Sequence, residues 1–160
     1  MDSGYLDACT FGDDGEWVAR NLLNARSQSQ LAKSAGLTSS YRYLGSKIED
    51  RGQDNLEFCV LGRQGRHFAR WLNGSSCWQA SNDALSAKIK EHGSGIRAMS
   101  FGYDDTYLLS HGTGQPRCVM GWAHDLKGHY PQLSSWLEEE RSVSIVVSEK
   151  PRAWCCCVEF

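Results

Sequence analysis

Leu56-Glu57-Phe58-Cys59-Val60-Leu61-Gly62-Arg63-Gln64-Gly65-Arg66-His67-Phe68-Ala69-Arg70-Trp71 reads as a strand, a tight turn and a second strand. Apolar residues fill both arms, and Gly62 and Gly65 bracket a short polar tip. The unit recurs about four times, anchored on Gly12, Gly62, Gly102 and Glu149. Six residues before each anchor stand Leu6, Leu56, Ile96 and Val143. Three before stand Cys9, Cys59, Met99 and Val146, and one before stand Phe11, Leu61, Phe101 and Ser148. Five after come Trp17, His67, Tyr107 and Trp154, then Val18, Phe68, Leu108 and Cys155. Gly15, Gly65 and Asp105 hold a turn position that needs positive φ, and Pro151 suits the turn of the fourth copy.

Behind the hairpins, Leu44 and Ile48, Leu85 and Ile89, and Leu133 and Leu137 each stand four apart, on one face of a helix. Short apolar pieces around Cys77-Trp78 and Cys118-Val119-Met120-Gly121-Trp122 suggest a third strand in two copies. Val18-Ala19, Phe68-Ala69 and Leu108-Leu109 are apolar at adjacent positions, which predicts sheets covered on both faces. The expected fold is a β-rich α+β domain over residues 1–160, built from strand-strand-(short strand)-helix units, propeller-like or as stacked small sheets. Its units span approximately 5–51, 55–92, 96–140 and 142–160. Residues 21–40 read as a polar insertion with a short helix ending near Gly36.

The anchors lie 50, 40 and 47 residues apart, a range that suits propeller blades or stacked arrays. In layout the chain resembles short β-propeller-type repeat proteins and is similar to a four-bladed hemopexin-like domain. Phe11-Gly12-Asp13-Asp14-Gly15-Glu16-Trp17 followed by a helix also looks like tandem repeats of eukaryotic proteins. The resemblance implies a rigid frame and carries over no site residue.

The 160 residues, 41% hydrophobic and 22% charged, suit one globular domain. A formal net charge of −2 argues against a nucleic-acid partner. Met1-Asp2-Ser3-Gly4 lacks a secretory layout, so the expected location is intracellular and cytoplasmic, with reduced thiols. Cys9 and Cys59, which share a column with Met99 and Val146, read as small buried hydrophobes.

Candidate chemistry is sparse. Cys155 and Cys157, with Cys118, could hold a soft metal, although Cys155 falls in a core column and strand neighbours face opposite ways. Cys157-Val158-Glu159-Phe160 loosely matches a prenylation signal, and membrane contact is expected only if Cys157 is lipidated. His124-Asp125-Leu126-Lys127-Gly128-His129 reads as a loop with two imidazoles and a carboxylate. His111-Gly112-Thr113-Gly114 lacks the Lys-Ser/Thr end of a phosphate loop, so no cofactor is expected. His67 reads as a packed, hydrogen-bonded core histidine, and Arg20, Arg63, Arg66 and Arg70 as a solvated rim.

The leading expectation is a non-catalytic binding module that presents loops and aromatic residues to a protein partner. Trp71, Trp78, Trp122 and Trp136 are its candidate anchors, some of them necessarily core. The alternative is a small-molecule enzyme in which His111, His124 or His129 acts as acid or base, with Asp104, Asp105 or Asp125.

Overall fold

The computed structural model describes the backbone of residues 5–23, 28–112, 120–139, 144–147 and 154–157, and the side chains of residues 8–20, 30–112 and 121–137. The protein is β-rich α+β. Among the described residues, three antiparallel sheets of three strands are joined by helices, and a two-stranded ribbon follows. The first sheet is β1 (Tyr5–Phe11), β2 (Trp17–Leu23) and β3 (Gln28–Lys33), followed by α1 (Leu37–Ser40) and α2 (Arg42–Arg51). The second is β4 (Leu56–Leu61), β5 (His67–Trp71) and β6 (Ser76–Gln79), followed by α3 (Asp83–His92). The third is β7 (Ile96–Phe101), β8 (Tyr107–Gly112) and β9 (Met120–Asp125), followed by α4 (Pro131–Glu139). The ribbon pairs β10 (Ser144–Val147) with β11 (Trp154–Cys157). Each sheet is an open meander whose middle strand comes second in sequence.

The three hairpins share one register. Phe11 pairs with Trp17, Leu61 with His67, and Phe101 with Tyr107. Each first strand bulges at the same place, between Leu6 and Ala8, Leu56 and Phe58, and Ile96 and Ala98. The turns match too. Gly12 N donates to Glu16 O at 2.8 Å, Gly62 N to Arg66 O at 2.8 Å, and Gly102 N to Thr106 O at 2.9 Å. Two left-handed residues sit at each tip: Asp14 and Gly15, Gln64 and Gly65, Asp104 and Asp105. That is the turn whose twist matches a two-stranded ribbon.

The structure departs from two of these expectations. Among the described residues of 21–36 there is no helix; β2 continues to Leu23 and β3 pairs with it over Val18–Leu23. The open edge of β2 offers a ladder of hydrogen bonds, and along β3 Gln30 is exposed while Leu31 is buried, the alternation of a strand. In the fourth copy, Val147 rather than Ser148 pairs with Trp154, so its first strand sits one residue out of the alignment by count. Residues 148–153, with Pro151, lie outside the described residues.

The helices form where the apolar pairs predicted. Asn82 Oδ1 caps α3 by accepting from Leu85 N at 2.7 Å, and Lys90 favours its C-terminal dipole. Pro131 opens α4, and Gly52, at φ 81°, ends α2. Leu44, Ile48, Leu85, Ile89, Leu133 and Leu137 are all buried.

The chain divides into two compact units, 1–79 and 80–160. In the first, one apolar cluster joins Val18 and Leu31 of the first sheet, Leu37, Leu44 and Ile48 of the helices with Tyr41 between them, and Leu56, Leu61, Ala69, Trp71 and Cys77 of the second sheet. Helix α2 thus contributes to one core shared by both sheets. In the second unit, Leu108 packs with Leu126, Tyr130, Leu133 and Leu137. No helix among the described residues is long and apolar enough to cross a membrane.

Candidate functional site

The most elaborated part of the first unit is the edge where its two hairpins turn. Tyr41, directly ahead of α2, is 1% exposed and spans both turns. Its hydroxyl accepts from Asp13 N at 3.0 Å and donates to Gly62 O at 2.7 Å. A Cβ at Gly12 would stand 2.0 Å from that hydroxyl, which is why glycine occupies the position. Asp13 also accepts from Gln64 N and lies 3.8 Å from Arg63 Nε, so the two turns are tied to each other. Beneath them Glu16 is buried and takes the Ser34 hydroxyl, which in turn accepts from Trp17 N at 3.0 Å. On this fixed edge Phe11 is 71% exposed and Tyr43 48%.

His67 is fully buried beside that edge, between the rings of Tyr41 and Tyr43 at 6.2 and 5.9 Å. Its Nδ1 lies 2.8 Å from Gly65 O, a contact that requires the proton on Nδ1. Nε2 is then a buried acceptor with no partner among the described residues. Burial pushes the His67 pKa down, partly opposed by the Gly65 carbonyl. This agrees with a packed core histidine.

Arg20 and Arg70 do not form a solvated rim. Both converge on Glu57, the residue at the β4 bulge: Arg70 Nε meets its carboxylate at 2.8 Å, and Arg20 donates to its carbonyl. The bulge turns Glu57 toward these two cations, and Arg70 is buried as a result. Arg66 is buried as well, donating from Nε to Arg63 O at 3.0 Å. Beside this clamp Ala8, Cys9, Arg20, Leu31 and Phe58 line a cleft of about 20 Å³, room for a single water. Cys9, expected to be buried, is exposed; Cys59 is half-buried and Cys77 buried. Burial pushes the Cys59 thiol pKa up, and that of Cys77 up to about 11.

The second unit repeats the tyrosine device. Tyr130, directly ahead of α4, accepts from Tyr103 N at 3.0 Å. On that turn His129 Nε2 lies 3.4 Å from Asp104 Oδ2, edge-on to Tyr103, and Lys127 Nζ donates to Asp104 O at 2.8 Å. His111 lies elsewhere, stacked on His92 with ring centroids 3.5 Å apart and packed against Gly121. His124 is exposed on strand β9, not on a loop, and pairs with Leu108 while His111 pairs with Gly121. Three ladder steps, roughly 10 Å, separate those two histidines, while His129 is the one that meets a carboxylate, that of Asp104. Asp125 closes β9 and accepts from Lys127 N at 3.2 Å.

Of the expected aromatic anchors, Trp71 belongs to the core. It is 1% exposed, donates to Gly52 O at 3.2 Å and lies under the Arg51 guanidinium at 4.7 Å. Trp78 is half-buried on β6, and Trp122 and Trp136 are half-buried against the α4 cluster. Cys118 lies outside the described residues, as do the side chains of Cys155 and Cys157, whose backbones belong to β11. Among the described residues no cluster of three or more His, Cys, Asp or Glu could hold a metal. Sequence reasoning missed Tyr41 and Tyr130, although each stands immediately before a helix, 29 and 28 residues beyond Gly12 and Gly102. No known protein family, curated protein or solved structure matches the chain.

Proposed function

We propose that the chain is a tandem-repeat binding module, non-catalytic, which presents its turn edges and exposed aromatic residues to a protein partner. The shared register, bulges and turns of the three hairpins support the repeat, and the propeller-type layout is part of the same proposal. One observation carries the binding reading: the turns are held by buried hydroxyls while Phe11 and Tyr43 beside them are left to solvent. Rigid frames with exposed aromatics lose little conformational entropy on docking. The alternative, an acid-base enzyme, has the His129–Asp104 contact in its favour.

A photo-crosslinking residue at position 43 or 103, in the full chain expressed in its native source, tests this. The expected result is one reproducible protein adduct from each turn-edge position and none from exposed Ala87 on α3. Identical adducts from all three positions, or a catalytic turnover abolished by His129→Ala, would overturn it.

A further inference from the structure

Among the described residues one sheet face occurs three times and is covered only twice. Strand alternation and register put Cys59, Leu61, His67, Ala69 and Cys77 on one face of the second sheet, and Met99, Phe101, Tyr107, Leu109 and Ala123 on the matching face of the third. The matching set on the first sheet is Cys9, Phe11, Trp17, Ala19 and Ala32. Leu61 and Phe101 are each 4% exposed, whereas Phe11 in the same column is 71% exposed. Cys9 is exposed and Trp17, Ala19 and Ala32 are half-buried, while Met99, Tyr107 and Leu109 are buried.

The second sheet shows what covers such a face. Leu37 of α1, Tyr41 between the helices, and Leu44 and Ile48 of α2 pack in one cluster with Leu61, Ala69 and Cys77. The helix starts at the turn, where Tyr41 donates to Gly62 O at 2.7 Å. A helix laid the same way on the first sheet would bring its N-terminal end, the positive end of its dipole, to Asp13 and Asp14. The second turn carries Arg63 and Gln64 there, so the first turn is the better charged of the two to receive a helix start.

We infer that the Cys9–Phe11–Trp17–Ala19 face is a docking site for an amphipathic helix of a protein partner, one with two aliphatic residues four apart. The inference rests on the protein-binding reading and names its surface. The occupant buries its aliphatic pair on the small side chains of Cys9, Ala19 and Ala32, with Phe11 as the raised edge. Its first turn meets Asp14.

The chain's own helical cover supplies the probe. A fluorescent peptide of residues 37–51 is titrated into the full chain and followed by anisotropy. The expected result is saturable binding, weakened about tenfold by Leu44→Asp with Ile48→Asp in the peptide and equally by Phe11→Lys in the chain. No saturable binding, or binding unchanged by Phe11→Lys, would overturn the site. So would a marked fall in the unfolding temperature of Phe11→Lys, which would mean that the chain covers this face itself. A concentration-dependent dimer of the wild-type chain, dissolved by Phe11→Lys, would assign the face to a second copy and overturn the helix. If the peptide fails while crosslinking at position 43 still yields a partner, the docking face falls and the binding module stands.

Discussion

The hydroxyl of Tyr41 accepts the backbone N–H of Asp13 at 3.0 Å, across 28 residues of chain. Tyr130 does the same for Tyr103 in the second unit, also at 3.0 Å. Each tyrosine sits one residue before a helix, so each device fixes a helix start to the turn of the sheet it follows.

Tyr41→Phe leaves Asp13 N and Gly62 O without this partner, which should cost about 1–3 kcal/mol by urea unfolding. Gly12→Ala should cost a similar amount by crowding the hydroxyl, and Tyr41→Leu should make room for it. The two changes are therefore non-additive, and a double-mutant cycle measures their coupling. Additivity within about 0.3 kcal/mol would contradict the contact.

Arg70 is buried and its cation faces the Glu57 carboxylate at the bulge. Arg70→Met keeps most of the stem but removes the cation that faces the Glu57 carboxylate. We expect a loss of about 1–3 kcal/mol, larger than for Arg63→Met at the exposed Asp13 contact. Equal losses at the two positions would mean that the bulge does not organise this pair.

His67 is held neutral, because burial lowers its pKa below the ordinary value of about 6.5. The unfolded chain therefore binds this proton more readily than the folded one. The stability it contributes is present above about pH 6.5 and declines as pH falls below that value. His92, lowered by burial and by His111, acts with the same sign. Thermal unfolding between pH 7.5 and 5 should show this decline, and His67→Asn, which keeps a donor for Gly65 O, should flatten it. An unchanged slope in the variant would remove His67 as its source.

Thiol reactivity should separate the described cysteines. Exposed Cys9 should be alkylated first at neutral pH, while Cys59 and Cys77 are held as thiols by burial. Peptide mass spectrometry after timed iodoacetamide treatment reads the order. Labelling of Cys77 as fast as Cys9 in the folded chain would contradict its burial.

What could be read in the sequence was whatever local chemistry decides. Gly15, Gly65 and Asp105 stand where the backbone needs positive φ, and all three have it. The aliphatic pairs four apart marked the helices, and doubly apolar β5 and β8 are buried along most of their length. Strand β3 was hidden because Gln28-Ser29-Gln30 is polar and its partner is the free edge of β2, a tertiary fact. The register of the fourth hairpin was lost because its connection is one residue longer. Glu57 gave no signal because a bulge, not a motif, aims it at Arg70. Phe11 stood in a core column, and only the missing cover makes it a surface.

Amide hydrogen exchange in single tyrosine variants tests most directly whether one device serves both turns. The account predicts that Tyr41→Phe strips protection from the Asp13 amide and leaves Tyr103 protected, while Tyr130→Phe does the reverse. Protection of both amides unchanged in both variants would contradict it.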